Sequence, residues 1–390
     1  MRKIFGVDKN VFFLGVVSFF NDISGQMVVA AFPAFFQSVL KSGAAALGII
    51  EGVAEGLANI VKVFSGSLSD KIEHRKGFAI AGYIISTITR PLYLFAAIPA
   101  HVFGIRVFDR IGKGIREAPR DALISLSVPR EELGRSFGFH RSMDAFGSIL
   151  GPLAAFFILR AFPGDFNTLF MLAFVAGVVA VLCFIFVREV VGVVKEPQKL
   201  KVLQKYPKKF NLFLLTMTIL SIGNIPIAVL TLRTQEVGLD LSFIPLFYAF
   251  YSISFTLFAP FAGRMADKLG DKRLIFWGYA LMCFGYLFII YDHTLFALAL
   301  GFLLLGLSSA FTDGTQRSYI GRLTSPEIRG GAYGLFNAAI GIGTMIAGAL
   351  GGLLWQYYSS TIALSVSILI VLGGLVIFYL NRGSGDVSPA

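Results

Sequence analysis

The sequence predicts an all-α membrane protein with twelve transmembrane helices in two six-helix halves that are related by internal duplication. Three observations predict this fold class. The 390 residues are 56% hydrophobic and only 15% charged, with a mean hydropathy of +0.75, whereas a soluble domain has about 25% charged residues. Long apolar runs recur along the chain, and part of the first half recurs in the second at a fixed offset.

Each predicted helix is an apolar run of roughly 20 residues, the length that crosses about 30 Å of hydrocarbon. The runs of the first half lie near 10–36, 44–66, 77–98, 101–125, 134–160 and 166–188. Those of the second half lie near 210–235, 243–263, 273–291, 294–319, 330–354 and 358–381. Between them the polar stretch 191–209 predicts a cytoplasmic linker, which divides the chain into domains at 1–190 and 210–390.

The Lys and Arg residues in the loops and near the ends of these runs predict the orientation in the membrane. With the N-terminus inside, twenty-four of them fall on the cytoplasmic side, and only Lys41, Arg160 and Arg233 fall on the other side. Both termini and the linker are therefore expected in the cytoplasm of a multi-pass cell-membrane protein. The net charge of +11 is then explained by topology and by anionic lipid, and not by nucleic acid.

A loop motif predicts that the two halves are copies of one six-helix unit. Its first copy contains Gly66, Asp70 and Lys71, and its second copy contains Gly263, Asp267 and Lys268, 197 residues later. At the same offset Arg120 falls on Arg317, and Pro129 falls on Pro326. A shared offset at separate places indicates duplication.

These features resemble the major facilitator superfamily over essentially the whole chain. The loop after the second helix is similar to the gating motif of that family at Gly66, Leu68, Asp70, Lys71 and Arg75, but has Glu73 where the family has Gly. In the fourth helix, Arg110 and Gly114 resemble an R-x-x-x-G motif. In the fifth, Gly147, Gly151 and Pro152 resemble the G-x-x-x-G-P motif typical of its antiporters, although the later paired glycines are lacking.

The resemblance implies a secondary transporter that works by alternating access. We expect Asp70 to pair with Arg120 or Arg135 at the cytoplasmic gate; a tight turn with positive charges inside is the alternative. Helix packing is the simplest role for Gly147 and Gly151. The complete set of predicted gating residues is Gly66, Asp70, Lys71, Arg75, Arg120, Arg135, Gly263, Asp267, Lys268, Gly147, Gly151 and Pro152.

Charged residues within the predicted helices lie almost entirely in the first half. The basic ones are Lys62, Arg90, Arg106, Arg110, Lys113, Arg116 and Arg141. The acidic ones are Asp22, Glu51, Glu55, Asp109, Glu117 and Asp144. A central charge costs about 2.5–3.5 kcal/mol, so seven unpaired bases would cost roughly 20 kcal/mol. They are therefore expected to face protein or water and to pair with the acids.

The buried acids are candidates for carrying a coupling proton, and the set is Asp22, Glu51, Glu55, Asp109 and Asp144. Glu51 and Glu55 are four residues apart on one helix face, where two carboxylates resist ionising together. Asp22 ranks first because it lies in mid-helix with no basic residue within a turn of its own helix. An ion-pair network that only holds helices together, or switches a gate, is the alternative for each of them.

A wider polar set is predicted to form a charge network or to bind substrate. Its members are Asn21, Arg90, Arg106, Arg110, Lys113, His140, Arg141, Asn224, Tyr251 and Asn337. His140 is either a pH-sensitive group or a hydrogen-bonding contact between helices. Asn224 and Pro226 are expected to interrupt the seventh helix.

Together these features predict proton-coupled efflux of a small amphipathic or polar solute. The alternatives are a carrier of organic anions or phosphate esters that uses the membrane-embedded Arg residues, and a membrane sensor that does not transport. An enzyme is not expected, because the sequence has no H-E-x-x-H, no G-x-S-x-G and no Gly-rich phosphate loop. No metal or cofactor is expected, the coupling ion is predicted to be H+, and the partners are a small-molecule substrate and the lipid bilayer around a monomer.

Overall fold

The structure is a computed structural model that describes residues 3–69, 75–190, 206–291, 294–325 and 328–380, with backbone alone for 62–69 and 130. Within these ranges twelve helices have 15 or more residues, which confirms the predicted all-α fold. The first six are α1 (Lys9–Ser38), α2 (Ala44–Ser69), α3 (Arg75–Leu92), α4 (Pro99–Leu126), α5 (Leu133–Ala161) and α6 (Phe166–Cys183). The second six are α7 (Lys208–Ile222), α8 (Ile244–Leu269), α9 (Asp271–Tyr291), α10 (Leu295–Leu323), α11 (Arg329–Tyr357) and α12 (Ser360–Leu380).

Eleven helical segments of the described chain are long and apolar enough to cross a membrane. Helix α4 is the long helix that falls short of this criterion, although it has 28 residues. The reason is the density of charge between Arg106 and Glu117. Many of these charged side chains are nevertheless buried, which is how such a helix can lie within a membrane protein.

The seventh predicted helix is interrupted, as Asn224 and Pro226 indicate. Helix α7 ends at Ile222, and two short helices follow at Ile227–Leu230 and Arg233–Glu236. Pro226 cannot donate a backbone hydrogen bond, so the helix cannot continue through it undisturbed.

A short hairpin precedes α1. Its two-residue strand Lys3–Ile4 pairs antiparallel with Val7–Asp8, and the turn places Phe5 and Gly6 at positive φ, 48° and 78°. The Asp8 carboxylate then accepts a hydrogen bond from the backbone N–H of Asn10 at 2.8 Å and caps α1.

The chain forms two compact units. The first comprises the described residues of Met1–Ser42, Leu57–Lys199 and Asp240–Ala249, and the second those of Gly43–Gly56, Leu200–Leu239 and Phe250–Ala390. Most of the linker at 191–209 lies outside the described residues, so the division of the sequence at 1–190 and 210–390 stays a prediction.

Glycines allow the helices of the first unit to pack closely. A Cβ on Gly82 of α3 would lie 2.7 Å from the Gly112 carbonyl of α4, and a Cβ on Gly112 would lie 2.9 Å from the Gly82 carbonyl. On α5, a Cβ on Gly151 would lie 2.8 Å from the Ile23 carbonyl of α1. These contacts bring α3 against α4 and α1 against α5, which sets the positions of the charged side chains between them.

Candidate functional site

A buried ion pair joins α3 to α4 in the first unit. The Arg90 guanidinium donates to Asp109 at 3.2 Å, and the two side chains are 4% and 7% exposed. Arg90 also donates to the hydroxyls of Ser24 on α1 and Thr89, both at 3.2 Å. One guanidinium therefore ties three helices together through charge-assisted hydrogen bonds.

Arg106 adds a second cation to the same carboxylate. Its guanidinium lies 3.7 Å from Asp109 on the same helix and 4.8 Å from the ring centroid of Phe32. Arg110 is another electrostatic neighbour of Asp109. A carboxylate among several guanidinium groups suits a fixed ion pair better than a group that exchanges a proton.

Asp22 and Asp144 form a second cluster where α1 crosses α5. The crossing is close because Gly147 has no side chain: a Cβ there would lie 2.9 Å from Cβ of Asp22. Asp22 interacts electrostatically with Asp144, and its carboxylate accepts a hydrogen bond from Asn21 at 3.1 Å. Its basic neighbours, all on α4, are Lys113, Arg116 and Arg120. Two carboxyl groups therefore share one partly buried region of the first unit.

His140 lies next to this carboxyl pair and is buried, with 1% exposure. Its Nε2 lies 2.8 Å from the hydroxyl of Ser18, and its Nδ1 lies 3.6 Å from the Asp144 carboxylate. Arg141 also approaches Asp144, at 3.7 Å, but its side chain is 72% exposed. His140, Arg141 and Asp144 of α5 are thus neighbours with unequal burial.

Arg116 and Arg120 extend the polar region along α4. The Arg116 guanidinium donates to Ser86 and lies 4.7 Å from the ring centroid of Tyr83. Arg120 donates to Asp121 at 2.8 Å and to Ser18 at 3.4 Å. Arg120 was expected to pair with Asp70, but Asp70 and Lys71 lie outside the described residues.

The other predicted gating residues of the first copy occupy separate places. Gly66 belongs to α2, and Arg75 is a buried first residue of α3. The exposed Arg135 has its guanidinium against Gly6 of the N-terminal hairpin. Pro152 lies inside α5 directly after Gly151.

The second copy of the loop motif contains an ion-pair cluster. Arg322 on α10 lies 3.7 Å from Asp267 and 3.1 Å from Asp271. The Asp271 side chain is 1% exposed, whereas that of Asp267 is 79% exposed. Gly270 has φ of +86°, which lets α8 end and α9 begin at once. The sequence analysis predicts Gly263, Asp267 and Lys268 in this region and misses Asp271 and Arg322. Asp271 could have been found as a second Asp four residues after Asp267.

The break after α7 is closed by a side chain from α9. The buried hydroxyl of Tyr286 accepts a hydrogen bond from the backbone N–H of Ile225 at 3.0 Å and donates to the Gly223 carbonyl at 3.3 Å. Asn224 itself is exposed, and Asn337 is partly buried. Tyr251, also partly buried, donates to Ser309 at 3.1 Å. The structure does not bring these three predicted residues together through a contact among the described side chains.

A polar network that the sequence did not predict follows the break. Arg233 donates to Glu236 and to the carbonyls of Ile289 and Ile290 at the end of α9. Glu236 also accepts from Trp355 at 2.7 Å and from Ser360 at 2.5 Å. The sequence assigns Arg233 to the outer side of the membrane near the end of the seventh predicted helix, and the structure shows that its side chain is buried.

Glu51 and Glu55 lie in the part of α2 that belongs to the second unit, where Glu51 is buried and Glu55 partly buried. Three glycines surround them on the helix, and a Cβ on Gly52 would lie 3.0 Å from Gly348 of α11. Their predicted pairing with Arg106 and Arg110 stays a prediction.

Comparison with known proteins gives the same family for the whole chain. The family model described as Major Facilitator Superfamily matches residues 14–216 and again 210–389. An uncharacterised MFS-type transporter of Methanocaldococcus jannaschii is 31% identical over 387 residues, which are 96% of this chain and 95% of the relative. A multi-drug resistance efflux pump PmrA homolog of Lactococcus lactis is 23% identical over 389 residues, with 96% and 95% covered. The crystal structure of the nucleoside transporter NupG has a similar fold, with a TM-score of 0.75 at 16% identity, and the match covers 95% of this chain and 97% of that one.

Proposed function

Because the chain belongs to the Major Facilitator Superfamily of transporters, we propose that it exports a small amphipathic or polar solute in exchange for protons. The superfamily fold requires no catalytic step, and transport proceeds by alternating access. The relative from Lactococcus lactis is named as a homolog of a multi-drug resistance efflux pump, and its match covers nearly the whole chain. This relative supports export as the direction of transport.

One observation carries the proposal of proton coupling: Asp22 and Asp144 lie at a close crossing of α1 and α5, with cations on α4. Two neighbouring carboxyl groups of low exposure resist being ionised together, so such a pair can hold one proton. Movement of α1 against α5 would change the distance between the carboxyl groups and so release or bind that proton. Asp109, whose carboxylate is fixed by Arg90, serves the structure instead.

We assign a gating role to the ion pairs of Arg322 with Asp267 and Asp271. Arg322 reaches from α10 to the junction of α8 and α9, so the pairs can form and break as these helices move. Asp70 and Lys71 are proposed to have the corresponding role in the first copy of the motif.

The test of coupling uses inverted membrane vesicles with a respiration-driven pH gradient, followed by acridine orange fluorescence. Ethidium, a typical multi-drug pump substrate, is the probe. We expect ethidium to dissipate part of the gradient with the wild-type chain. We expect Asp22→Asn to abolish this response, because the amide mimics the protonated carboxyl and cannot release a proton. Ethidium exchange without a gradient should persist in the same variant.

Glu131→Gln is the matched control, since it removes an exposed carboxylate from the turn before α5. It should behave as the wild type. If Asp22→Asn still concentrates ethidium against its gradient with the wild-type pH dependence, then Asp22 is not the proton carrier and Glu55 or Asp144 takes its place.

The buried guanidinium of Arg116 favours a second candidate, a carrier of organic anions or phosphate esters. Among the described residues, its hydrogen bond is to Ser86 and its ring contact is to Tyr83, with no carboxylate within ion-pair distance. A guanidinium in such a place can bind a carboxylate or phosphate. An anion that enters together with protons would reverse the sign of the acridine orange response, which separates the two candidates.

A further inference from the structure

His140 is an imidazole whose two nitrogens face different groups. Nε2 lies 2.8 Å from the Ser18 hydroxyl on α1, and Nδ1 lies 3.6 Å from the Asp144 carboxylate on α5. The ring is 1% exposed. One oxygen of Asp144 is buried and accepts no hydrogen bond from the described residues. A small rotation of the Asp144 side chain would complete a hydrogen bond to the ring.

A polar chain continues from Ser18 away from the carboxyl pair. The Ser18 hydroxyl lies 3.4 Å from the Tyr83 hydroxyl and 3.4 Å from the Arg120 guanidinium. Arg120 donates in turn to Asp121 at 2.8 Å, and the Asp121 side chain is 42% exposed. The chain thus leads from the partly buried carboxyl of Asp144 to the more exposed carboxyl of Asp121 within the first unit.

The direction of this chain follows from the helix axes. His140 is four residues nearer to the start of α5 than Asp144, which is about 6 Å at 1.5 Å per residue. Ser18 is likewise four residues nearer to the start of α1 than Asp22. Both helices start on the side where the charge distribution places the cytoplasm.

The side chains in this chain have the chemistry of a proton path. A neutral imidazole can accept a proton at one nitrogen while it releases another from the opposite nitrogen. A serine hydroxyl can also donate and accept at once. Arg120 cannot relay a proton, because its guanidinium stays charged, but it can orient Ser18. The charged and titratable groups around His140 are Tyr83, Arg120, Asp121, Arg141 and Asp144.

We propose that His140 and Ser18 conduct the coupling proton between the Asp22–Asp144 pair and the cytoplasmic ends of α1 and α5. This inference rests on the proposed proton coupling. The Asp144 carboxyl would give its proton to Nδ1, and the proton on Nε2 would pass to the Ser18 oxygen. Ser18 is buried, so its hydroxyl proton would leave when the cytoplasmic ends of α1 and α5 open and admit water. The imidazole ends with its proton on Nδ1; loss of that proton and uptake of another at Nε2 restore the starting tautomer.

The test follows carboxyl protonation directly and needs no transported substrate. The protein is reconstituted in liposomes, and a caged proton is photolysed on the cytoplasmic side. Time-resolved infrared difference spectra then record the C=O stretch of protonated carboxyl groups. A band that is lost in both Asp22→Asn and Asp144→Asn belongs to the pair.

We expect His140→Gln to slow the appearance of this band by about a hundredfold or more, the lower end of the range for loss of a proton-transfer group. Its final amplitude should be unchanged. The amide of Gln can still hydrogen-bond Ser18 but cannot pass a proton on. Ser18→Ala is the second variant and should slow the band as well, with a smaller change in side-chain volume.

His101→Gln on α4 and Ser142→Ala on α5 are the matched controls, because both side chains are exposed. They should leave the rate as in the wild type. A purely structural role of His140 would instead lower the thermal stability and leave the rate unchanged. Wild-type rates in His140→Gln and Ser18→Ala would overturn the path while leaving the carboxyl pair intact. Absence of any band that depends on Asp22 and Asp144 would overturn both the pair and the path.

Discussion

Arg90 shows how a cation can be accommodated in the middle of an apolar bundle. Its guanidinium has a carboxylate and two hydroxyls as partners, and these come from three different helices. An ion removed from water loses several kcal/mol of solvation, and only a well-formed set of partners compensates for the loss. Removing one partner therefore destabilises more than the ion pair itself contributes.

We expect Arg90→Gln to lower the free energy of unfolding by about 3 kcal/mol, because Asp109 would keep its charge with weaker compensation. Arg106, at 3.7 Å, should prevent a larger loss. Thermal unfolding of the purified protein in detergent measures the difference. Arg141→Gln is the control, since its side chain is 72% exposed, and should change the free energy by no more than about 0.5 kcal/mol. Equal losses in the two variants would contradict the structural role of Arg90.

Pairing of the buried charges could be predicted from the sequence, but the identity of several partners could not. The cost of an unpaired ion in a membrane requires that acids and bases meet. Their positions along each helix give depth, whereas the rotation of a helix about its own axis is set by packing. The ion pair of Asp109 with Arg90 therefore fits the expectation that buried acids and bases pair. The contact of Arg120 with Asp121 and the buried network of Arg233 were not predicted.

The contact between α1 and α5 depends on two glycines at a four-residue spacing. Side chains at Gly147 and Gly151 would meet backbone atoms of Phe19, Ile23 and Met27 at 2.6 to 3.3 Å. These are distances that a methyl group cannot occupy without moving a helix. The same contact places Asp22 beside Asp144, so helix packing and site geometry are linked here.

We expect Gly151→Ala to cost about 1–3 kcal/mol of stability, since an extra methyl group at a tight contact forces the helices apart. Gly138→Ala is the matched control on the same helix, because its Cβ would meet nothing within 4 Å. It should be neutral or should stabilise by up to about 1 kcal/mol. Thermal unfolding of the two variants, purified in parallel, gives the comparison. Similar stabilities would show that α1 and α5 can separate freely at this point.

The broken helix marks a further limit of prediction at the scale of elements. Asn224 and Pro226 predicted where the seventh helix stops, because Pro lacks a backbone N–H. The group that satisfies the freed backbone could not be predicted. Tyr286 lies 61 residues further along the chain than Ile225, and local sequence carries no information about which distant side chain fills a gap.

The whole molecule is expected to have both termini and the segment 191–209 on the cytoplasmic side. Most of the helices could be predicted from length and hydropathy, and α4 was predicted at 101–125 although its charged residues lower its hydropathy. The orientation depends on Lys and Arg in loops, and the fold of the chain alone does not determine it. It therefore remains a prediction that labelling can check.

Single cysteines at Ser42, Asp240 and Gln198, in a chain with Cys183→Ser and Cys283→Ala, provide the measurement. We expect a membrane-impermeant maleimide to label the first two from outside intact cells and to label Gln198→Cys only after the membrane is opened. Labelling of Gln198→Cys in sealed, right-side-out vesicles would show that the chain has the opposite orientation in the membrane. The proton path through His140 would then lead to the opposite side.

The hydrogen bond from Trp355 to Glu236 makes the tryptophan fluorescence of the protein a probe of its second unit. The chain has two tryptophans; Trp355 is 7% exposed, and Trp277 is 56% exposed. Both belong to the second unit, so the charged first unit emits no indole fluorescence of its own. In a Trp277→Phe chain the remaining emission would come from an indole hydrogen-bonded to a carboxylate. A shift of its emission wavelength that depends on Asp22 would therefore show that a change in the first unit affects the environment of Trp355 in the second.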